Sequence, residues 1–453
     1  MNLASHVVDS ARIHPDRAAL RLGDAAVSYR ALDQGSARLA GVLHDRGVKP
    51  GDRVAVMLPN VPEFALAYFG VLRAGGIVVP MNPLLKSREV AYYLGDSGAR
   101  LLFAWHTFAD EARTGAQQAE AESVVVSPGS LDELLVSARP TEHLTDRHED
   151  ATAVILYTSG TTGQPKGAEL THANLTRNCD IVATELFRLT ADDVIFGGLP
   201  LFHAFGQTCI LNAAVTAGTC LTLLPRFDAG KALGIEGYGT SETSPVASFN
   251  TLQAGPKPGS VGIPIRGVEM RVVDKDSKDS KDSKEVPHGE TCEITIRGHN
   301  VMKRYWERHE ATAAAIRDGW FYTGDIGRVD QDGYFWIVGR TKDVIIRGGY
   351  NVYPREVEDV LYEHPAVADA AVIGVPNSDL GEEVGAAVVL KPGAHTTPED
   401  LRDYVKGQVA AYKYPSKVWI TDALPKGPTG KILKREIVPP PEVARDCRQH
   451  FPT

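Results

Sequence analysis

The chain has 453 residues, of which 43% are hydrophobic and 23% charged, with 43 Gly and 28 Pro. That length exceeds one ordinary core, and the balance excludes a disordered or fibrous chain, so two or more globular domains are expected. A net charge of −9 argues against a broad nucleic-acid surface, and five scattered cysteines without a CxxC pair argue against a zinc site or disulfide framework and fit a reducing cytoplasm.

The first residues, Met1–Asp9, lack a basic region followed by an apolar core and so read as no secretory signal. Asp52–Met57 reads as a strand, Pro62–Ala74 as a helix, Gly76–Pro80 as a strand, Arg88–Ser97 as a helix and Leu101–Ala104 as a strand. Strands separated by helices predict parallel sheets covered on both faces. From Val194 to Pro225 there is no Asp, Glu, Lys or Arg, a run long enough to cross a bilayer. It contains Pro200, His203, Gln207, Asn212 and several glycines, so it reads as a buried strand–loop–helix segment and not a membrane span. After Ile263 the pattern changes to short strands, with Asp332-Gly333 as a turn between Ile326–Val329 and Tyr334–Val338. Lys275–Lys284 (KDSKDSKDSK) reads as a solvated hairpin loop. From about Thr341 a separate small α+β unit is expected. Its helix starts at Pro354 and runs through Tyr362, its strands are Ala370–Val375 and Ala386–Leu390, and Thr397-Pro398-Glu399 opens a further helix.

The apolar run Ala153–Tyr157 leads into Thr158-Ser-Gly-Thr-Thr-Gly-Gln-Pro-Lys-Gly167. Glycines let successive backbone N–H groups converge on one anion, hydroxyls add donors, and a lysine adds a point charge suited to phosphate. Thr158, Ser159, Gly160, Thr161, Thr162, Gly163 and Lys166 therefore read as a polyphosphate cradle. The loop differs from the P-loop of kinases and GTPases, because Lys166 lies between Pro165 and Gly167 and not before a Ser or Thr opening a helix.

The loop resembles the phosphate-binding signature of the adenylate-forming superfamily, which includes the acyl-CoA synthetases. Further motifs follow in that family's order: Gly237-Tyr-Gly-Thr-Ser-Glu-Thr243, Tyr322-Thr-Gly-Asp325, Gly339-Arg-Thr-Lys-Asp343, Arg347-Gly-Gly-Tyr-Asn-Val-Tyr-Pro354 and Pro425-Lys-Gly-Pro-Thr-Gly-Lys431. The resemblance covers nearly the whole chain. It implies an α/β fold: a large domain, residues 1–341, of doubly wound mixed sheets plus a distorted barrel region, then a small mobile α+β domain, residues 342–453. It also implies ATP, Mg2+ and CoA, and a reaction in two halves, in which a carboxylate attacks the α-phosphorus of ATP to give acyl-AMP and a thiol then attacks the acyl-adenylate.

By the same resemblance, Lys431 contacts carboxylate and α-phosphate, and Glu242 holds Mg2+. Tyr238 packs on adenine beside Gly239 and Ser241. Asp325 accepts from the ribose hydroxyls with Arg340 nearby. His203 lies by the bound carboxylate and gates the acyl tunnel. Lys342 is the hinge that withdraws Lys431 and brings Gly348 and Gly349 to the site. Apolar neighbours of His203, Phe202, Phe205, Ile210 and Leu211, point to a hydrophobic, fatty-type acid with CoA as acceptor. A cytoplasmic enzyme is expected, with small-molecule partners and no nucleic acid; a homodimer stays open.

One departure stands out. His203 and Glu242 are 39 positions apart, and the usual interval is longer and includes a small-residue turn that meets adenine and lines the acyl tunnel. Here Leu223–Leu233 runs directly into Gly234–Tyr238. Removing elements from a doubly wound sheet exposes apolar surface and unpaired strand groups. Three readings follow: an active ligase with a pruned pocket, a catalytically impaired relative that binds nucleotide or acts as a partner protein, or a scaffold of the same fold.

Overall fold

The structure is a computed structural model describing residues 1–136, 138–141, 143–158, 165–224, 237–250, 257, 259–274, 284–340, 343–347, 350–377, 380–409, 411–427 and 432–441. It divides into two compact units, Met1–Met270 with Thr295–Tyr322, and Arg271–Ile294 with Thr323–Thr453. This division by compactness differs from the hinge boundary expected at 341/342.

The first unit carries a seven-stranded sheet. Its order is Arg304–Tyr305, Lys166–Thr171, Thr152–Thr158, Ile77–Pro80, Arg53–Met57, Leu101–Trp105 and Glu122–Val126. The five strands from Thr152–Thr158 onward run parallel; Lys166–Thr171 pairs antiparallel with Thr152–Thr158, and Arg304–Tyr305 pairs antiparallel with Lys166–Thr171. Helices connect the parallel strands, as the alternating pattern predicts. Pro62 opens the helix Pro62–Arg73, where its missing N–H and fixed φ cost nothing. Gly98 closes Ser87–Ser97 at φ +65, the left-handed position that favours glycine. Phe64, Tyr68, Phe69 and Phe103 are fully buried in the resulting core.

A second sheet runs Ala25–Ser28, Ala18–Leu22, Cys220–Leu223 and Val194–Gly197. The uncharged stretch after Val194 is this outer strand, a π-helix Gly206–Asn212, the helix Ala213–Ala217 and the strand Cys220–Leu223. It is mostly buried, as expected, and no helix among the described residues is long and apolar enough to cross a membrane.

In the second unit, Val367–Asn377 and Gly381–Leu390 form a long antiparallel pair, flanked by Ile345–Arg347 with Tyr350–Val352 and by Lys417–Ile420. The helices Pro354–Glu363 and Pro398–Lys406 bury Val357, Leu361, Leu401 and Val405. Thr397 caps the second helix through a reciprocal bond with Asp400. Most of the KDS repeat lies outside the described residues, but Val273 bridges Glu285 antiparallel, so a hairpin stem flanks it. The molecule is thus mixed α/β with a large N-terminal domain and a smaller C-terminal one.

Candidate active site

Thr158 and Lys166 are the last register pair of the hairpin that carries the phosphate loop. Ser159, Gly160, Thr161, Thr162 and Gly163 lie outside the described residues. The stem is fixed from one side by aromatic packing: Tyr157 stacks on Tyr93 at 4.3 Å and donates to Asp96 at 2.7 Å. Tyr92 donates to the Pro165 carbonyl at 2.8 Å, and Arg308 pairs with Asp96 at 2.5 Å. Burial and the Asp96 acceptor push Tyr157 above its ordinary value, so its hydroxyl remains a donor.

Gly237–Tyr238 pairs with Ser248–Phe249 and leads into the short 3-10 turn Ser241–Thr243. A Cβ on Gly239 would overlap the Pro245 carbonyl oxygen, so the chain needs glycine at this close approach. Glu242 is anchored twice. Its carbonyl accepts from Met302 N at 2.7 Å, and its Oε1 accepts from the Tyr305 hydroxyl at 2.9 Å. Burial and the Glu242 carboxylate raise Tyr305 above its ordinary value and keep that proton in place. The same ring lies 5.3 Å beneath the Lys166 ammonium. Tyr305 therefore joins the loop lysine to the glutamate, a role that no motif announced. The second Glu242 oxygen has no hydrogen-bond partner among the described residues. One oriented and one open carboxylate oxygen fit a hard cation that takes few protein ligands.

His203 sits where the chain enters the π-helix. Its ring packs at 4.7 Å on Phe202, and burial holds it below the usual histidine range. A π-helix has about 4.4 residues per turn, since its bonds run i to i+5, so Gln207 or Thr208 and Asn212 share a face, and Gln207 N donates to the His203 carbonyl at 3.0 Å. Gln207, Thr208 and Asn212 are 1% exposed or less. His203 Nε2, both Gln207 amide atoms, Thr208 Oγ1 and Asn212 Oδ1 are buried without a hydrogen-bond partner among the described residues. Such groups cost free energy unless something satisfies them. Sequence reading noted His203, Gln207 and Asn212 only as interruptions of an uncharged run and took the other neighbours of His203 as apolar.

In the second unit, Asp325 and Arg340 face each other across a hairpin, and Arg340 Nε lies 2.8 Å from Asp325 Oδ1. Asp325 N donates to Thr323 Oγ1, and Gly324 N to Glu293. Lys342, Gly348, Gly349 and Lys431 lie outside the described residues. The loop that carries Lys431 is closed at its base, where Lys426 bridges Ile432 and Leu433 N donates to the Pro425 carbonyl at 2.8 Å.

The second sheet has an exposed outer strand. Among the described residues Val194–Gly197 is its outer strand, and Val194 and the nearby Leu199 are 60% and 37% exposed.

The doubly covered parallel sheet, the phosphate-loop hairpin and the following small α+β unit define an adenylate-forming enzyme. The profile of the AMP-binding enzyme matches residues 7–234 and 229–306, and that of the AMP-binding enzyme C-terminal domain matches 356–431. The chain belongs to the AMP-binding enzyme family of the adenylate-forming superfamily, among acid–CoA ligases. It is 37% identical to a feruloyl-CoA synthase of Amycolatopsis sp, over 96% of this chain and 98% of the relative. It is 32% identical to a long-chain-fatty-acid–CoA ligase of Bacillus subtilis (strain 168), over 96% and 94%. The ATP-bound structure of MatB from Rhodopseudomonas palustris superposes with a TM-score of 0.89 at 31% identity, covering 96% of this chain and 98% of that one. The first profile breaks at 229–234, inside the short interval. The Bacillus alignment needs 533 positions for a chain of 453 residues.

Proposed function

We propose that the chain is an ATP- and Mg2+-dependent acid–CoA ligase that forms acyl-AMP and then a CoA thioester. The observation that carries this reading is the Lys166–Tyr305–Glu242 arrangement, which sets an ammonium and an oriented carboxylate beside the phosphate loop. In this reading Thr158, Lys166 and the loop Ser159–Gly163 cradle the phosphates. Glu242 holds the cation, whose charge offsets the phosphates. Tyr238, Gly239 and Ser241 border adenine, and Asp325 with Arg340 takes the ribose hydroxyls. Lys431 stabilises the charge of the adenylation transition state. His203, kept neutral by burial, lies beside the acyl carboxylate. Residues 342–453 then form the lid, pivoting at Lys342 so that Gly348 and Gly349 serve the CoA step.

Two substrate classes follow from two observations. Buried Ile210 and Leu211 favour a fatty-type hydrophobic acid. The unpartnered polar face of the π-helix favours an acid that carries a hydroxyl or a second carboxyl group. The short interval removes part of the adenine and acyl wall, and small misplacement of a carboxylate is costly in rate. The test supplies ATP, Mg2+, CoA and a panel of straight-chain, hydroxylated and dicarboxylic acids, and measures AMP and acyl-CoA. A matched protein carries a full-length relative's interval inserted between Leu233 and Gly234. The expected result is weak turnover that rises by about 100-fold on insertion. Nucleotide binding without turnover in either protein would replace the ligase by the impaired, nucleotide-binding relative.

A further inference from the structure

We propose that His6, Cys179 and Asp180 form a binding site for a zinc-class divalent cation that ties the first helix, Ser5–Ile13, to the helix His172–Ile181. A ring nitrogen of His6, the Cys179 sulfur and a carboxylate oxygen of Asp180 lie within 4.8 Å of one another. Zinc bonds of about 2.0–2.3 Å place tetrahedral ligand atoms about 3.5 Å apart, so side-chain adjustments of about 1 Å close the set. Thr216, on the helix Ala213–Ala217, brings a hydroxyl to the same point, 2.9 Å from His6 Nδ1 and 3.6 Å from Cys179 Sγ. Sequence spacing gave no hint of this cluster, because its members come from helices far apart in the chain.

The donor chemistry of the cluster suits a soft divalent cation. Asp180 has no hydrogen-bond or ion-pair partner for its carboxylate among the described residues. Burial raises it, against the pull of His6 and Arg266. Burial also raises the Cys179 thiol, to about 12. His6 is held low by burial, against Asp9 and Asp180, so its lone pair is available. A divalent ion displacing the thiol proton to solvent would meet a thiolate, a carboxylate and a neutral imidazole, and the net charge of the set would be zero. A thiolate and an imidazole select zinc-like ions over magnesium. None of these three ligands is among the proposed phosphate and acyl groups, and the expected effect is on stability.

The test uses the full chain stripped by a chelator, then titrated with Zn2+ by calorimetry and with Co2+ by absorption. The expected result is one equivalent bound, a sulfur-to-Co2+ charge-transfer band in the near ultraviolet, and a higher melting temperature with zinc. Cys179→Ala should abolish the band, and His6→Gln and Asp180→Asn should each weaken zinc binding at least ~10-fold. Circular dichroism reports whether each variant is folded, and half-buried His6→Gln decides alone if Cys179→Ala does not fold. A chain that binds neither ion, a band that persists in Cys179→Ala, or affinity unchanged in His6→Gln overturns the proposal.

Discussion

In the seven-stranded sheet, Ile77–Pro80 is buried at every position and Arg53–Met57 at all but its first, because helices cover both faces. In the four-stranded sheet, Val194–Gly197 alternates exposed and buried, and Val194 is 60% exposed. All three strands are largely apolar in sequence, so composition does not separate them. The difference is in cover. A strand rich in β-branched and aromatic residues expects burial worth about 1.5–3 kcal/mol per side chain, and the outer strand forgoes part of it. The outer strand therefore gains less from burial than the covered ones. The covered sheet and its phosphate hairpin keep their packing.

The largest expected effect tests whether the retained half still does chemistry. Lys431→Ala should cut acyl-adenylate formation by about 3–4 kcal/mol of transition-state stabilisation, with ATP binding kept. Single-turnover acyl-AMP formation and nucleotide calorimetry read the two separately. Equal losses in both would remove Lys431 from the chemical step.

On the covered side, Leu102→Ala should destabilise the protein by about 2–5 kcal/mol, because Leu102 is fully buried and its loss leaves a cavity. Urea unfolding followed by tryptophan fluorescence measures this. A loss below about 1 kcal/mol would mean that this sheet is not the rigid partner of the comparison.

These contrasts show what a sequence conveys. Local periodicity exposed the strands Arg53–Met57 and Ile77–Pro80, and local proline and threonine chemistry exposed the helices opening at Pro354 and Pro398. Motif order exposed the family. Tyr305 was hidden, because its partners come from a distant hairpin and turn. The strand Arg304–Tyr305 reaches Lys166 and Glu242 only through sheet pairing. Gln207 and Asn212 were legible as polar interruptions of an uncharged run, but their burial without partners depends on packing that only the fold supplies.

Tyr305→Phe sharpens the comparison at the phosphate side. It removes the hydroxyl that orients Glu242 and keeps the ring beneath Lys166. The apparent Mg2+ affinity in the adenylation assay should fall about 10-fold, the scale of losing a group that orients a metal ligand. Stability should change little, since the ring still fills its place. Unchanged Mg2+ dependence would detach Glu242 from the cation.

The smallest effect is the most direct probe of the uncovered strand. Val194→Thr keeps the shape and the β-branched preference of the side chain and replaces a methyl by a hydroxyl. In a covered strand such a change buries a hydroxyl that finds no partner, at about 1–3 kcal/mol. At a position 60% exposed the hydroxyl meets water, and the change in stability should stay within about 0.5 kcal/mol. The measurement is the shift in urea midpoint for Val194→Thr, made once in the chain as it stands and once with the interval inserted between Leu233 and Gly234. The comparison predicts near-neutrality in the first background and a cost above about 1 kcal/mol in the second, where the inserted elements would cover the strand. A cost of that size in the first background would show that Val194 is already covered, and the assignment of the missing cover to the short interval would fall.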